Sequence, residues 1–181
     1  DLYHIDNIGS SQYDSESMTL SELADSLRNC TKCCLSEGRT QVVFGSGNQH
    51  ASVMFVGEAP GFHEDKQGIP FVGAAGKLLT DLLEAVGLSR SEIYIANIIK
   101  CRPPNNRNPQ PNEVDTCKPF LLQQIQIIQP SLVCSLGNFS TQALLDKKIG
   151  ITKIHGQVFQ LPQFLLFPLY HPAAALHQAN L

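Results

Sequence analysis

The 181-residue chain carries its apolar residues in short blocks separated by polar, glycine- and proline-rich connections. Residues 52–57 (SVMFVG) form a continuous apolar run closed by glycine, the pattern of a strand buried on both faces. Residues 93–99 (IYIANII), 132–136 (LVCSL) and 164–167 (FLLF) repeat it. Between these runs the period changes. Residues 73–86 place Leu78, Leu79, Leu82, Leu83 and Val86 at helical spacing, and Gly87 stops the helix. Residues 113–129 predict a second helix, with Asn112 as its cap and Pro130 just beyond. Pro119 inside it marks either the true start or a kink. A third helix is expected over residues 138–145, and a short amphipathic one over residues 20–27 runs into Cys30. Residues 1–17 form a polar tail, and residues 18–181 a single domain.

Alternating strands and helices predict an α/β fold with a four-stranded parallel sheet covered by helices on both faces. Ligands of such sheets sit beyond the carboxyl ends of the strands. That rule directs attention to residues 57–61, 97–102, 136–138 and 170–172.

Composition narrows the class. No run of 18 apolar residues exists, so no transmembrane helix is expected, and residues 1–19 carry no apolar signal segment. A cytoplasmic protein is the expectation. The net charge of −3 hides an asymmetry. Residues 1–96 hold six Lys/Arg against thirteen Asp/Glu, whereas residues 97–181 hold seven against three. A positive C-terminal half suits a polyanion, although a small protein can acquire such a bias by chance. Six cysteines without a secretory signal point to thiolates for a metal or for catalysis rather than to disulfides.

Cys30 and Cys33 form a C-x2-C pair, and Cys101 and Cys117 follow with 15 residues between them. Four thiolates suit a [4Fe–4S] cluster or tetrahedral zinc. The long, unequal gaps favour the cluster, because zinc ribbons and fingers use two short pairs. Cys34 should point away from the centre occupied by Cys33, and Cys134 reads as a small buried hydrophobe within its strand.

The strand ends carry the remaining chemistry. Gly57-Glu58-Ala59-Pro60-Gly61 forces a tight turn that presents backbone amides and the Glu58 carboxylate. It lacks the order of a dinucleotide fingerprint. Phe71, between Pro70 and Val72-Gly73, belongs to the core or offers a ring to a planar ligand. Asn97 lies within an apolar strand, where its amide needs partners from backbone or ligand. Residues 100–107 (KCRPPNNR) are basic and stiffened by prolines, which suits phosphates. His171 follows the last strand, where an imidazole is either structural or an electrophile. Together these groups outline a pocket for a flat, hydrogen-bonding ring.

In this order and with these gaps, the motifs C-x2-C, GEAPGxxED, GxPFVGxAGxLL, NIIKCRPPxNR with Cys117, and HPAA resemble the family 4 uracil-DNA glycosylases from about Cys30 to Leu176. The resemblance implies a prokaryotic origin, the uracil-glycosylase α/β/α fold and a structural [4Fe–4S] cluster on Cys30, Cys33, Cys101 and Cys117. It implies that Glu58 and Ala59 line the pocket floor, Phe71 stacks on uracil, Asn97 reads its edge and His171 faces O2. Arg102 and Arg107 become DNA contacts. The implied substrate is single- or double-stranded DNA containing uracil, the protein acts as a monomer without a membrane, and a sliding clamp is an allowed partner. Family 1 enzymes carry a water-activating aspartate where this chain has Ala59 and a thymine-excluding tyrosine where it has Gly61. Family 4 members lack both. A covalent uracil-trapping relative would need a histidine-bearing insertion after the second strand, and KCRPPNNRNPQPNE has neither. A DNA-binding iron–sulfur module without catalysis would not need Glu58, Phe71, Asn97 and His171 together.

Overall fold

The computed structural model describes residues 2–4 and 18–177. Among them the chain forms strands β1 (Leu2–His4), β2 (Ser46–Gly47), β3 (Val53–Gly57), β4 (Tyr94–Asn97), β5 (Leu132–Leu136), β6 (Val158–Gln160) and β7 (Leu165–Leu169). The helices are α1 (Leu20–Leu27), α2 (Phe62–Gln67), α3 (Ala74–Ala85), α4 (Pro111–Ile128), α5 (Gly137–Leu145), α6 (Ile151–Ile154) and α7 (Pro172–His177).

The four apolar runs become the four central strands. They lie in the order β7-β5-β3-β4, and every neighbouring pair is parallel. The whole sheet has seven strands rather than four, in the order β1-β6-β7-β5-β3-β4-β2. The added edge strands are only two or three residues long, too short to stand out as apolar runs. β6 pairs antiparallel with β7 but parallel with β1, and β2 pairs antiparallel with β4.

Side chains of β3 alternate between two hydrophobic layers. Met54 and Val56 enter a large core with Ile125, Leu121 and Leu144, which puts α4 and α5 on one face. Phe55 enters a smaller core with Leu79 and Leu83 of α3 on the other. This burial on both faces explains why the runs show no polar alternation.

Local capping sets the helix ends. Thr19 and Glu22 form a reciprocal capping box that starts α1. α4 begins at Pro111, two residues before the expected start, because proline suits the first helical position and the Glu113 carboxylate accepts from the Gln110 amide at 2.7 Å. Pro119 lies within α4 without ending it. α2 has only six residues, and the sequence pattern did not single it out. No described helix is long and apolar enough to cross a membrane.

The chain leaves β3 toward β4 on one side, then returns to β5 on the other. The crevice at this switch lies beyond the carboxyl ends of β3 and β5, where ligands of open α/β sheets bind.

Candidate active site and cysteine cavity

Gly57 closes β3 and pairs with Asn97 at the end of β4. A Cβ on Gly57 would lie 2.4 Å from Asn97 Oδ1 and 2.6 Å from Phe71 Cζ. Only glycine therefore lets the amide and the ring close on this strand end. The backbone beyond is fixed by amides of the second strand's continuation: Ile98 donates to the Gly57 carbonyl and Ile99 to that of Glu58, both at 3.0 Å.

Asn97 is 2% exposed, yet its side-chain amide has no hydrogen-bond partner among the described residues. Among the described residues no fully enclosed polar side-chain atom is left unsatisfied, so this amide opens onto the crevice. Water can meet it there in the free protein, and a ligand with matching donor and acceptor can take that water's place. Glu58 stands half-buried beside it, and burial pushes its carboxyl above the usual range. Ala59 packs against the large core.

Phe71 is buried, and its backbone is left-handed at φ 55°. For a residue with a side chain that conformation costs about 1–3 kcal/mol and persists only where the surroundings impose it. Gly76 is required nearby, since a Cβ there would come within 2.0 Å of the Phe71 carbonyl oxygen. The Phe71 ring faces the His171 ring at a centroid distance of 5.6 Å and an interplanar angle of 29°.

His171 follows β7. Its Nδ1 accepts the Ala173 amide at 3.1 Å, so the neutral ring carries its proton on Nε2. Burial lowers its pKa, which favours the neutral imidazole. Gly137, at φ 86° after β5, gives the histidine room: a Cβ there would lie 3.1 Å from His171 Cβ.

The basic stretch after β4 divides. Lys100 is 2% exposed and donates to the Asn97 carbonyl at 2.8 Å and to Gln124 Oε1 at 2.5 Å. It braces the strand end from inside and is withdrawn from phosphates. Burial pushes its ammonium down to about 8, with Cys117 and Cys101 acting in the opposite direction. Arg102 donates to Asn106 Oδ1, and its guanidinium lies 5.1 Å from the exposed Phe62 ring. Arg107 is committed to Glu113 through two bonds of 2.9 and 2.6 Å. That pairing, resisted by burial, holds the fully buried Glu113 carboxyl down at about 2.

Cys30, Cys33, Cys101 and Cys117 line one cavity together with Lys32, Arg39 and Lys100. The Lys100 amide donates to Cys117 Sγ and Arg39 Nη1 to Cys101 Sγ, both at 3.3 Å. Among the described residues no three His, Cys, Asp or Glu side chains are grouped as one metal ion requires. Four thiols around one cavity, with N–H donors aimed at two of them, have the chemistry of a thiolate-held metal centre. Cys34 turns away and is exposed, its Sγ 3.5 Å from Glu113 Oε1. Cys134 is buried in the opposite layer, which pushes its thiol up to about 12.

Three residues were given no role by the sequence, although Glu64 falls within the GEAPGxxED motif. Glu64 accepts from the Val72 and Gly73 amides at 3.0 and 2.9 Å, Arg90 donates to the Pro70 and Phe71 carbonyls, and Gln124 partners Lys100. Each acts on backbone or on a buried partner distant in sequence, which residue type and spacing do not reveal.

The profile of the uracil DNA glycosylase superfamily matches residues 44–181. A type-4 uracil-DNA glycosylase of Sulfurisphaera tokodaii is 45% identical over 172 residues, covering 90% of this chain and 78% of that one. One from Archaeoglobus fulgidus is 41% identical over 171 residues, with 90% and 86% coverage. One from Saccharolobus solfataricus is 47% identical over 164 residues, with 86% and 76% coverage. With this extent of similarity, the chain belongs to the type-4 branch of the uracil DNA glycosylase superfamily.

Proposed function

We propose that this protein removes uracil from DNA by hydrolysing its N-glycosidic bond, and that Glu58, Ala59, Phe71, Asn97 and His171 form the site that does so. One observation carries the assignment of residues: a buried amide, Asn97, stands without a protein partner between an aromatic ring and a glycine-ended strand. A nucleobase supplies what that amide lacks.

Uracil must leave the base stack to reach the crevice, at a cost of a few kcal/mol. The Phe71 ring replaces lost stacking. Asn97 accepts from uracil N3–H and donates to O4, whereas cytosine, with the reverse pattern, would require the amide to flip. As the bond between C1′ and N1 breaks, its electron pair moves onto the base. The His171 Nε2–H donates to the O2 where that negative charge gathers. Water adds to C1′ and loses a proton. Glu58 stands where it can orient that water or stabilise the cationic sugar. Arg102 is the better candidate for phosphate contact, because Arg107 is engaged with Glu113.

Cys30, Cys33, Cys101 and Cys117 would hold a [4Fe–4S] cluster. Bound there, it supplies four thiolate–iron bonds that tie the segment after α1 to β4's exit and to α4. The hydrolysis itself balances without electron transfer.

Alkaline cleavage of a uracil-containing oligonucleotide tests the assignment, with single- and double-stranded substrates. Wild-type protein should create abasic sites that break under alkali, and Asn97→Ala should lose that activity while keeping its fold. An intact strand after wild-type treatment overturns the activity. Undiminished cleavage by Asn97→Ala overturns the site.

A further inference from the structure

We propose that Arg90 is a positioning residue for the stacking ring, fixing Phe71 in its left-handed conformation through the backbone of residues 70–73. The inference rests on the role of Phe71 given above.

Arg90 lies between α3 and β4 and belongs to none of the motifs that mark the crevice. Its Nη2 donates to the Pro70 carbonyl at 2.8 Å and its Nη1 to the Phe71 carbonyl at 2.9 Å. Two consecutive carbonyls thus converge on one planar guanidinium, a geometry that a lysine cannot reproduce. The same Nη1 lies 3.4 Å from Thr80 Oγ1, which ties the cation to α3. The next two residues are held by the opposite charge. Glu64 Oε1 accepts the Val72 and Gly73 amides, while its Oε2 accepts the Gly61 amide at 3.2 Å. The strained residue therefore sits between a cation that grips the carbonyls and a carboxylate that grips the amides.

The arrangement is not an ordinary ion pair. Neither ion pair among the described residues includes Arg90. Its half-buried guanidinium spends its donors on this loop and on Thr80. Burial of that unpaired cation, which lowers its pKa, is tolerated for a position held rather than for a charge neutralised. Without Arg90, the Phe71 carbonyl loses its hydrogen-bond donor and the left-handed residue is free to relax into the extended region. The ring would then leave the ends of Gly57 and Asn97, so that the flipped base meets a correct amide but no stacking surface.

The test compares Arg90→Ala, Arg90→Lys, Phe71→Ala and the double Arg90→Ala/Phe71→Ala variant. Arg90→Ala should slow single-turnover uracil release about 100-fold, the scale of a misplaced binding group. The double variant should be no slower than Phe71→Ala alone, because both changes remove the same stacking. Arg90→Lys should recover part of the rate through one carbonyl, and it reports on the clamp if the alanine variant folds poorly. Independently of activity, amide exchange at Val72 and Gly73 should accelerate about tenfold or more in Arg90→Ala, with β5 amides unchanged. Additive rate losses in the double variant, or unaltered exchange at Val72 and Gly73, overturn the proposal. An inert wild type with faster exchange in the variant would instead overturn the uracil activity and leave the clamp standing.

Discussion

At the carboxyl ends of β3, β4 and β7 the protein leaves an amide free, a carboxyl half-buried and an imidazole neutral. Around the four cysteines it places N–H donors against sulfur before anything is bound. The crevice keeps its hydrogen-bonding capacity for a ligand that must enter and leave. The cysteine cavity has its surroundings satisfied in advance, as suits a group held for the life of the fold. Lys100 joins the two: its amide reaches Cys117 Sγ and its ammonium reaches the Asn97 carbonyl. A single residue thus ties the cavity wall to the strand end proposed to read the base.

The largest effect should come from the cavity. Cys117→Ala should abolish the visible thiolate–iron absorption and cost on the order of 5 kcal/mol or more, by analogy with structural metal sites. A colourless wild type with unchanged Tm in the variant would break the contrast drawn here. In the crevice, His171→Ala should slow uracil release by about 10²–10³-fold, or about 3–4 kcal/mol, with little change in Tm. Because burial lowers the imidazole's pKa, activity should hold as pH falls through 6.5 and decline only below it. A kinetic break at or above 6.5 would show that the neutral ring is not what the reaction uses.

Arg107→Ala should destabilise by about 2 kcal/mol, since it strands a buried carboxylate whose partner is itself partly exposed. The pair is the largest cause of the fall in the Glu113 pKa from 4.5 to about 2, aided by the Gln110 amide and Cys34. Its contribution is therefore present above the unfolded value and lost as pH falls from 4.5 toward 2. Denaturation at neutral and acid pH should show wild type and variant converging in acid. The smallest effect has the opposite sign. Glu58→Gln should raise stability at pH 7 by about 1 kcal/mol while uracil release falls. The raised Glu58 pKa means that the folded state binds the proton more tightly, so the carboxylate costs stability at high pH and the gain should vanish below 4.5.

The sequence exposed most of the frame because four strands are buried on both faces and read as unbroken apolar runs. It exposed Cys30, Cys33, Cys101 and Cys117 by type and spacing, and the fold brings all four to one cavity. Asn97 and His171 were legible as polar groups stranded at strand ends. The edge strands were not, being two or three residues long. Nor was the division of the basic stretch. Lys100 and Arg107 look alike in sequence to Arg102, but their partners Gln124 and Glu113 come from α4. Arg90 was hidden, and Glu64, though within GEAPGxxED, showed no readable role, because both grip main-chain atoms, which every residue possesses.

The pairing of Gly57 with Asn97 also makes the crevice a check on folding fidelity. Successive residues of β4 face opposite layers, with Tyr94 and Ala96 on one side and Ile95 on the other. A slip of β4 by one position would still bury small and branched apolar side chains. It would also turn the asparagine toward the opposite layer and set a side chain against Gly57. A molecule with that fault could be compact and helical yet blind to its substrate, so uracil release reports strand alignment more sharply than any measure of overall structure.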